Sequence, residues 1–386
     1  MQPSRLLPQT TPVRSLAWPS VLRHGVAVSI IEGDGRAIGS GVGSPFAAAM
    51  TGAGEYIERH VLFSKIHPTH RGRLEEAGGR ELSTALMLAL SQLSDAPCDL
   101  ASHEFRFTAC HNLLTGVEEP YPTALLTLAQ AGIEEDRRYV PYIDSSGSCL
   151  HSTGDAALAG AIAEFLERQM LLATWFGLPC TEIVLDVQRL PHRIADFVEL
   201  LTHRGSLSCF TAESPLGGYF VIAVYSSSHG DVRYSVGSSF ALSPRAALEK
   251  ALHELWHGAI YQWNQAGNEI TPDMDVLSQA FLKGNRSETA ERFPFVQQPC
   301  RAMELDQFVR LEPATMTSVL AHWTDISLTL LAYRTTSGPY HFCRVVDPNF
   351  WVHINPGVPL NFDNEVARGL GLSAPAPSQR SQIPFP

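Results

Sequence analysis

Three stretches of the chain carry apolar residues at helical spacing. They run from about Pro45 to Lys65, from Asp155 to about Phe176, and from Pro244 to about Gln265. The second opens on an acidic cap and stops before Gly177 and Pro179. The third opens on Ser243-Pro244, a capping hydroxyl followed by proline at the first helical position. Shorter helices are expected over 81–94 and near 193–203. Alternation predicts strands at Glu104–Leu114, Glu182–Val187, Gly218–Tyr225, Val232–Gly237, Ile326–Arg334 and Tyr340–Val346. Gly25 to Gly39 reads as a hairpin about Asp34-Gly35, 141–154 as turns, and the Pro-rich end as irregular. Hairpins and long helices without regular βα alternation predict an α+β fold with mixed or antiparallel sheets.

Composition narrows the class. With 386 residues, 45% hydrophobic and 17% charged, the chain has the means to build a sizeable core. Its formal charge of −11 argues against a nucleic acid or an anionic membrane held by bulk electrostatics. A polyanionic ligand would need a local cation. The apolar run near Met170–Pro179 is too short to span a membrane, and the N-terminus lacks the apolar core of a secretory signal. Seven widely spaced cysteines without a CxxC pair disfavour a disulfide framework or zinc knuckle, so a cytoplasmic protein with reduced thiols is expected. The cysteines and the Trp175, Trp256 and Phe220 side chains are expected in the core.

One pattern occurs twice within predicted helices: Glu55-Tyr-Ile-Glu58-Arg59 and Glu164-Phe-Leu-Glu167-Arg168. Glutamates three apart share a helix face, with the arginine beside the first of them. A single copy reads as a solvated, salt-bridged face. Two copies, each flanked by apolar residues, read instead as buried carboxylates that need partners or a metal. Carboxylates brought together raise one another's pKa unless cations compensate. Hard oxygen ligands suit Mg2+ bridged to phosphate. The run Gly39-Ser-Gly-Val-Gly43-Ser reads as a loop offering backbone N–H groups to phosphate, although it matches neither the P-loop nor the dinucleotide fingerprint.

The third helix supports two readings. Lys250 and Glu254, four apart, add a cation and a carboxylate to one face. His253-Glu254-Leu-Trp-His257 is also a literal zinc-peptidase signature. That second reading lacks a well-placed third ligand, because Glu269 lies only twelve residues past His257 and no H-x-x-G-x-x-H continuation follows.

The Gly-rich run leading into Thr51, Glu55, Glu58 and Arg59, the second motif at Glu164, Glu167 and Arg168, and the pair Lys250 and Glu254 together resemble the YcaO family. The resemblance spans about residues 36–386. More narrowly, GEYIERH, AEFLERQMLLATW, YSVGSSFALSPRAALEKALHELWH and the terminal PFP are similar to the cyclodehydratase subunits of microcin B-type synthetases.

The resemblance implies a YcaO-type α+β fold around an ATP site. Residues 1–35 would form a lead-in and hairpin start, and 36–386 a cyclodehydratase domain with a Pro-rich tail at 372–386. It implies ATP- and Mg2+-dependent conversion of Cys, Ser or Thr in a ribosomal precursor peptide to thiazoline or oxazoline, by phosphorylation of a hemiorthoamide oxygen. It implies Glu58, Glu164, Glu167 and Glu254 as Mg2+ ligands, and Thr51, Glu55, Arg59, Arg168 and Lys250 as nucleotide-binding residues. Pro384 and Pro386, with Phe385 between them, would act in catalysis. Implied partners are the precursor peptide, a zinc-containing ubiquitin-activating-enzyme-like subunit that holds its leader, and a flavin-dependent azoline dehydrogenase. Thr51 stands where the family usually has Ser, His257 where Gln is common, and Gly54 and Val42 where some members carry a cation. YcaO-type thioamide or amidine formation is the nearest alternative, and the terminal PFP favours azoline formation over it. A zinc metallopeptidase is the rival from another class.

Overall fold

In a computed structural model, the structure describes residues 13–14, 27–32, 38–93, 99–264, 276–298, 300–376 and 381–385. The expected Asp34-Gly35 turn, Cys98 and Pro386 lie outside these residues.

The described chain opens with β1 (Val13–Arg14), β2 (Ala27–Glu32) and β3 (Ile38–Gly43), followed by α1 (Pro45–Ser64), β4 (His70–Gly72) and α2 (Arg80–Leu93). Next come β5 (Phe105–Asn112), β6 (Glu118–Pro122), β7 (Ser148–His151) and α3 (Gly154–Trp175). A central run contains β8 (Thr181–Val184), α4 (His192–Thr202), β9 (Ser206–Glu213), β10 (Tyr219–Ser226), β11 (Tyr234–Ala241) and α5 (Pro244–Asn264). The last part contains α6 (Val276–Lys283), α7 (Pro294–Gln297), β12 (Arg301–Glu304), α8 (Leu305–Val309) and α9 (Met316–Ile326). It ends with β13 (Leu331–Ser337), β14 (Tyr340–Val346) and α10 (Glu365–Gly369).

These strands form three sheets: β1-β2-β3, β11-β10-β9-β8-β12, and β4-β5-β13-β14-β7 with β6 beside β5. Pairing is antiparallel except between β8 and β12. The expected α+β architecture is therefore present. No helix among the described residues is long and apolar enough to cross a membrane.

Strand β10, between β11 and β9, is buried along nearly its whole length, and its two faces serve different cores. Phe220, Ile222 and Val224 pack in the cluster that contains α3, whereas Val221, Ala223 and Tyr225 pack with α4 and α5. In the third sheet, Ala332, Cys343 and Val345 face the α3 cluster, and Leu331, Phe342 and Val346 face α2. Helix α3 thus lies between two sheets, which explains why it is apolar around most of its circumference. A carboxylate on such a helix is buried by the architecture.

Helix α3 is capped by the Thr153 hydroxyl, which accepts from Ala156 N at 3.4 Å, two residues earlier than the expected Asp155. Helix α1 starts on Ser44-Pro45 and lies directly on β3. A side chain at Gly39 would run into the carbonyl of Gly52, and one at Gly41 into that of Ala48. The Gly39–Gly43 run is therefore a strand paired with β2 rather than the expected phosphate loop, and its glycines serve close strand–helix contact.

Phe220 is fully buried, Trp256 is 6% exposed and Trp175 stacks edge-on against Phe293, as expected of core aromatics. Cys110, Cys180, Cys209 and Cys343 are buried thiols, while Cys149 and Cys300 are half-buried.

Candidate functional site

Helices α1, α3 and α5 bring the expected charged residues into one electrostatic network beside β7 and β11. On α1, Thr51, Glu55 and Glu58 follow one another along a single face. Thr51 is exposed, and Glu55 is held from two sides. Its Oε1 lies 2.7 Å from Arg59 Nη2, and its Oε2 accepts from the Ser40 backbone N–H at 2.7 Å and hydroxyl at 2.9 Å. Glu55 therefore ties α1 to β3.

On α3, Glu164 Oε1 accepts from Arg168 Nε at 2.9 Å. Glu167, only 4% exposed, accepts from the Ser238 hydroxyl on β11 at 2.9 Å and stands 3.8 Å from Lys250 Nζ on α5. One turn further along α5, Glu254 lies 3.9 Å from His257 Nδ1.

Glu58 has no hydrogen-bond or ion-pair partner among the described residues. Burial, with Glu55 and Glu164 nearby, pushes its carboxyl up to about 8, against the pull of Arg59 and Arg344. Burial also raises Glu167 to about 7, opposed by Lys250 and reinforced by Glu164 and Glu254. The site is short of positive charge at both carboxylates, and Glu164 raises each of them.

A complementary shortage stands beside it. Burial works against the Arg168 cation, yet Glu164 and Glu167 hold its pKa above the ordinary value, and its Nη1 is buried without a hydrogen-bond partner. Lys250, whose side chain is half-exposed, is likewise held protonated by Glu167, Glu164 and Glu254 against partial loss of its water shell. A divalent cation would answer the carboxylates, and a phosphate oxygen would answer Arg168. The donor set fits Mg2+ with a nucleotide.

The same donors do not fit zinc. Among the described residues, no three His, Cys, Asp or Glu side chains stand together to hold a metal ion. Catalytic zinc needs about three protein ligands, whereas Mg2+ takes one or two carboxylates and completes its shell with phosphate and water. His253 instead lies beside Phe197, with ring centroids 6.1 Å apart, and burial lowers its pKa. Among the described residues His253 and His257 thus find no third ligand for a zinc-peptidase site, and Glu269 lies outside them.

The C-terminal tail reaches the network. Ile383 and Phe385 are buried in the α3 core, and the Phe385 ring lies under the Arg168 guanidinium, with Cζ 5.2 Å from its centroid. The carbonyl of Pro384 accepts from Tyr234 Oη at 2.8 Å.

Ser238, Tyr234 and Arg344 were not anticipated as parts of the site, and Ser40, expected to offer its N–H to phosphate, bonds Glu55 instead. Arg344 on β14 is 1% exposed, donates to the Asp144 carbonyl at 2.7 Å, and leaves Nε and Nη1 unpartnered. Its phase was not a readable signal, because β14 is buried on both faces and Arg344 shares the α2-facing side with Phe342 and Val346.

An α+β fold that gathers cation-poor carboxylates and a partly unsatisfied arginine from three helices suits a magnesium–nucleotide enzyme. The chain belongs to the YcaO family of ATP- and Mg2+-binding cyclodehydratases, whose pattern matches residues 39–350. It is 25% identical over 361 residues to the microcin B17-processing protein McbD of Escherichia coli, covering 90% of each chain. Its fold is similar to a chain of the E. coli microcin synthetase McbBCD complex with pro-MccB17 bound, at TM-score 0.83 and 23% identity over 100% of this chain and 99% of that one. It is also similar to YcaO from Methanopyrus kandleri bound with AMPPCP and Mg2+, at TM-score 0.60 and 14% identity over 96% and 91% of the two chains.

Proposed function

We propose that this chain is the azoline-forming subunit of a cytoplasmic, microcin-type synthetase that acts on Cys, Ser or Thr of a ribosomal precursor peptide. The observation that carries the reading is the pairing of two carboxylates short of a cation, Glu58 and Glu167, with an arginine short of an acceptor, Arg168.

In the proposed reaction, a side-chain thiol or hydroxyl adds to the preceding backbone carbonyl. The resulting oxygen takes the γ-phosphoryl group of ATP, releasing ADP, and leaves as phosphate as the former amide nitrogen gives up its proton and the ring C=N bond forms. An amide oxygen is a poor leaving group and a phosphate ester a good one, so catalysis reduces largely to positioning and electrostatics. Glu58, Glu164, Glu167 and Glu254 would hold Mg2+, one or two of them to each ion, with phosphate and water completing each shell. Arg168 and Lys250 would face phosphate, with Thr51 and Arg59 at the α1 wall and Glu55 fixing that wall to β3. Pro384 and Pro386 would bring the tail to the reacting groups. A zinc-containing leader-binding subunit and a flavin-dependent azoline dehydrogenase would complete the assembly.

The test is calorimetric binding of ATP to the full chain, with and without Mg2+, for wild type and Glu167→Gln, followed by mass spectrometry of precursor peptide incubated with the assembled subunits. Mg2+-dependent binding lost in Glu167→Gln, and ATP-dependent loss of one water per ring, are expected. Binding indifferent to both Mg2+ and the substitution would overturn the site assignment, and unaltered peptide mass in the full assembly would overturn the reaction.

A further inference from the structure

One strand holds both a site carboxylate and the C-terminal tail. Along one face of β11 stand Tyr234, Val236 and Ser238. Ser238 donates to Glu167 at 2.9 Å and Tyr234 donates to the Pro384 carbonyl at 2.8 Å, so the two tethers lie about 13 Å apart along the strand. The opposite face is fixed to α5. The Ser235 hydroxyl donates to the Leu255 carbonyl at 2.7 Å, and Gly237 leaves no room for a side chain against the α5 backbone. The strand is thereby held from behind while it holds two elements in front.

The two tethers close a circuit. Glu167 is followed by Arg168, Arg168 stacks on Phe385, Phe385 follows Pro384, and Pro384 returns to Tyr234. Few other polar contacts hold the tail among the described residues: Arg292 Nη2 donates to the Gln382 carbonyl at 3.2 Å, and Phe385 N donates to Ile383 O at 2.9 Å. The Tyr234 ring is fully buried against Phe281, where a phenylalanine would pack as well. The distinguishing role of its hydroxyl is the bond to the tail.

We propose that Tyr234 is a positioning residue that keeps the C-terminal tail in register with the carboxylate site. The role rests on the functional reading above, but the tether itself does not. Tyr234 bonds to none of the nucleotide-facing cations among the described residues and reaches Arg168 only through two tail residues, so its loss falls on turnover more than on nucleotide affinity.

Three measurements on the full chain with its partner subunits test this in Tyr234→Phe. These are amide hydrogen exchange of the peptide containing Ile383–Phe385, the split between kcat and the KM for ATP, and ATP affinity by calorimetry. Tail exchange about tenfold faster, kcat reduced about tenfold, and ATP KM and Kd within about twofold of wild type are expected, a tenfold change corresponding to one lost buried hydrogen bond. Gly284→Ala offers an independent route, because its new Cβ would be wedged between the α6 carbonyl of Ala280, at 3.0 Å, and Pro384 Cβ, at 3.1 Å, and so crowd the tail with Tyr234 intact. It is expected to give the same signature, and it carries the test where Tyr234→Phe does not fold. Unchanged tail exchange in a folded variant, or a loss that appears in ATP affinity, would overturn the proposal. A wild-type chain that binds no Mg2+–ATP would overturn the functional reading and Tyr234's part in the reaction, even where faster tail exchange still registered the tether.

Discussion

The Phe385 ring lies under the Arg168 guanidinium, 5.2 Å from Cζ to the ring centroid, and so joins the end of the described chain to the middle of α3. Arg168 is also bonded through Nε to Glu164 and keeps Nη1 free of partners. The ring fixes the plane in which that free N–H points. Phe385→Leu keeps an apolar group in the core but removes the π face, an interaction of about 0.5–2 kcal/mol. Turnover is expected to fall about three- to tenfold, with the thermal midpoint changed by only a few degrees. A fall in stability that fully accounts for the lost turnover would count against this role for the ring. Parallel melting curves and initial rates decide it.

His253 and His257 share a helix but not a task. Burial lowers the pKa of His253, which sits against Phe197. His257 is raised, against burial, by its contact with Glu254, whose own pKa is lowered, against burial, by the same contact. His253→Ala should leave ATP turnover within about threefold of wild type. His257→Ala removes the partner that orients a proposed Mg2+ ligand and should cost about tenfold in Mg2+ affinity, as outer partners of ligands do. Metal analysis of the purified chain accompanies these rates, and stoichiometric zinc lost in both variants would restore the peptidase reading.

Much of this site was legible in the sequence, and the reason is periodicity. The duplicated glutamate–arginine pattern fell on helices whose caps and apolar spacing were strong, so α1, α3 and α5 could be placed and their charged faces aligned. What was missed depends on distant partners. Strand β7, of sequence SCLH, was read as turn, because its strand character comes from β14, where Cys343 pairs with Cys149 and Arg344 with Ser148. Strand β9, SLSCFTAE, lacks a strong β signal and is fixed between β8 and β10. The Gly39–Gly43 run was misread because a glycine-rich segment has the same composition whether it wraps an anion or lets a helix lie against a strand. Only the position of Gly52 and Ala48 on α1 distinguishes the two.

The raised carboxyl of Glu58 has a signed consequence for stability. Its ordinary value of 4.5 rises to about 8 in the folded chain, so the folded state holds this proton more tightly than the unfolded state does. The resulting stabilisation is complete below the unfolded value and is lost as pH climbs through the folded one. Metal-free wild type should therefore lose stability relative to Glu58→Gln between about pH 4.5 and pH 8, and Mg2+–ATP should recover much of that loss at pH 8 by supplying the missing cation. Thermal midpoints of both proteins across this range, with and without Mg2+–ATP, make the comparison. Parallel midpoint curves would show that Glu58 does not carry the raised proton.

The contact between β3 and α1 gives a prediction that separates glycines required by packing from one that is not. A Cβ on Gly41 would meet the Ala48 carbonyl, and the neighbouring atoms are backbone or the Thr51 Cβ, so nothing flexible can yield. Gly41→Ala must push α1 away from the strand. Glu55, which reaches Ser40 from that helix, would lose its seat. A destabilisation of at least about 2 kcal/mol is expected, at the upper end of overpacking costs, with nucleotide affinity lost alongside it. Gly54 lies on the same helix with nothing within 4 Å of the added Cβ. There the alanine gains helix propensity and restricts the unfolded chain, so Gly54→Ala should stabilise by about 0.5–1 kcal/mol. Denaturant midpoints of the two variants are expected to move in opposite directions. If both moved the same way, the close approach of β3 to α1 would not be what requires glycine at position 41.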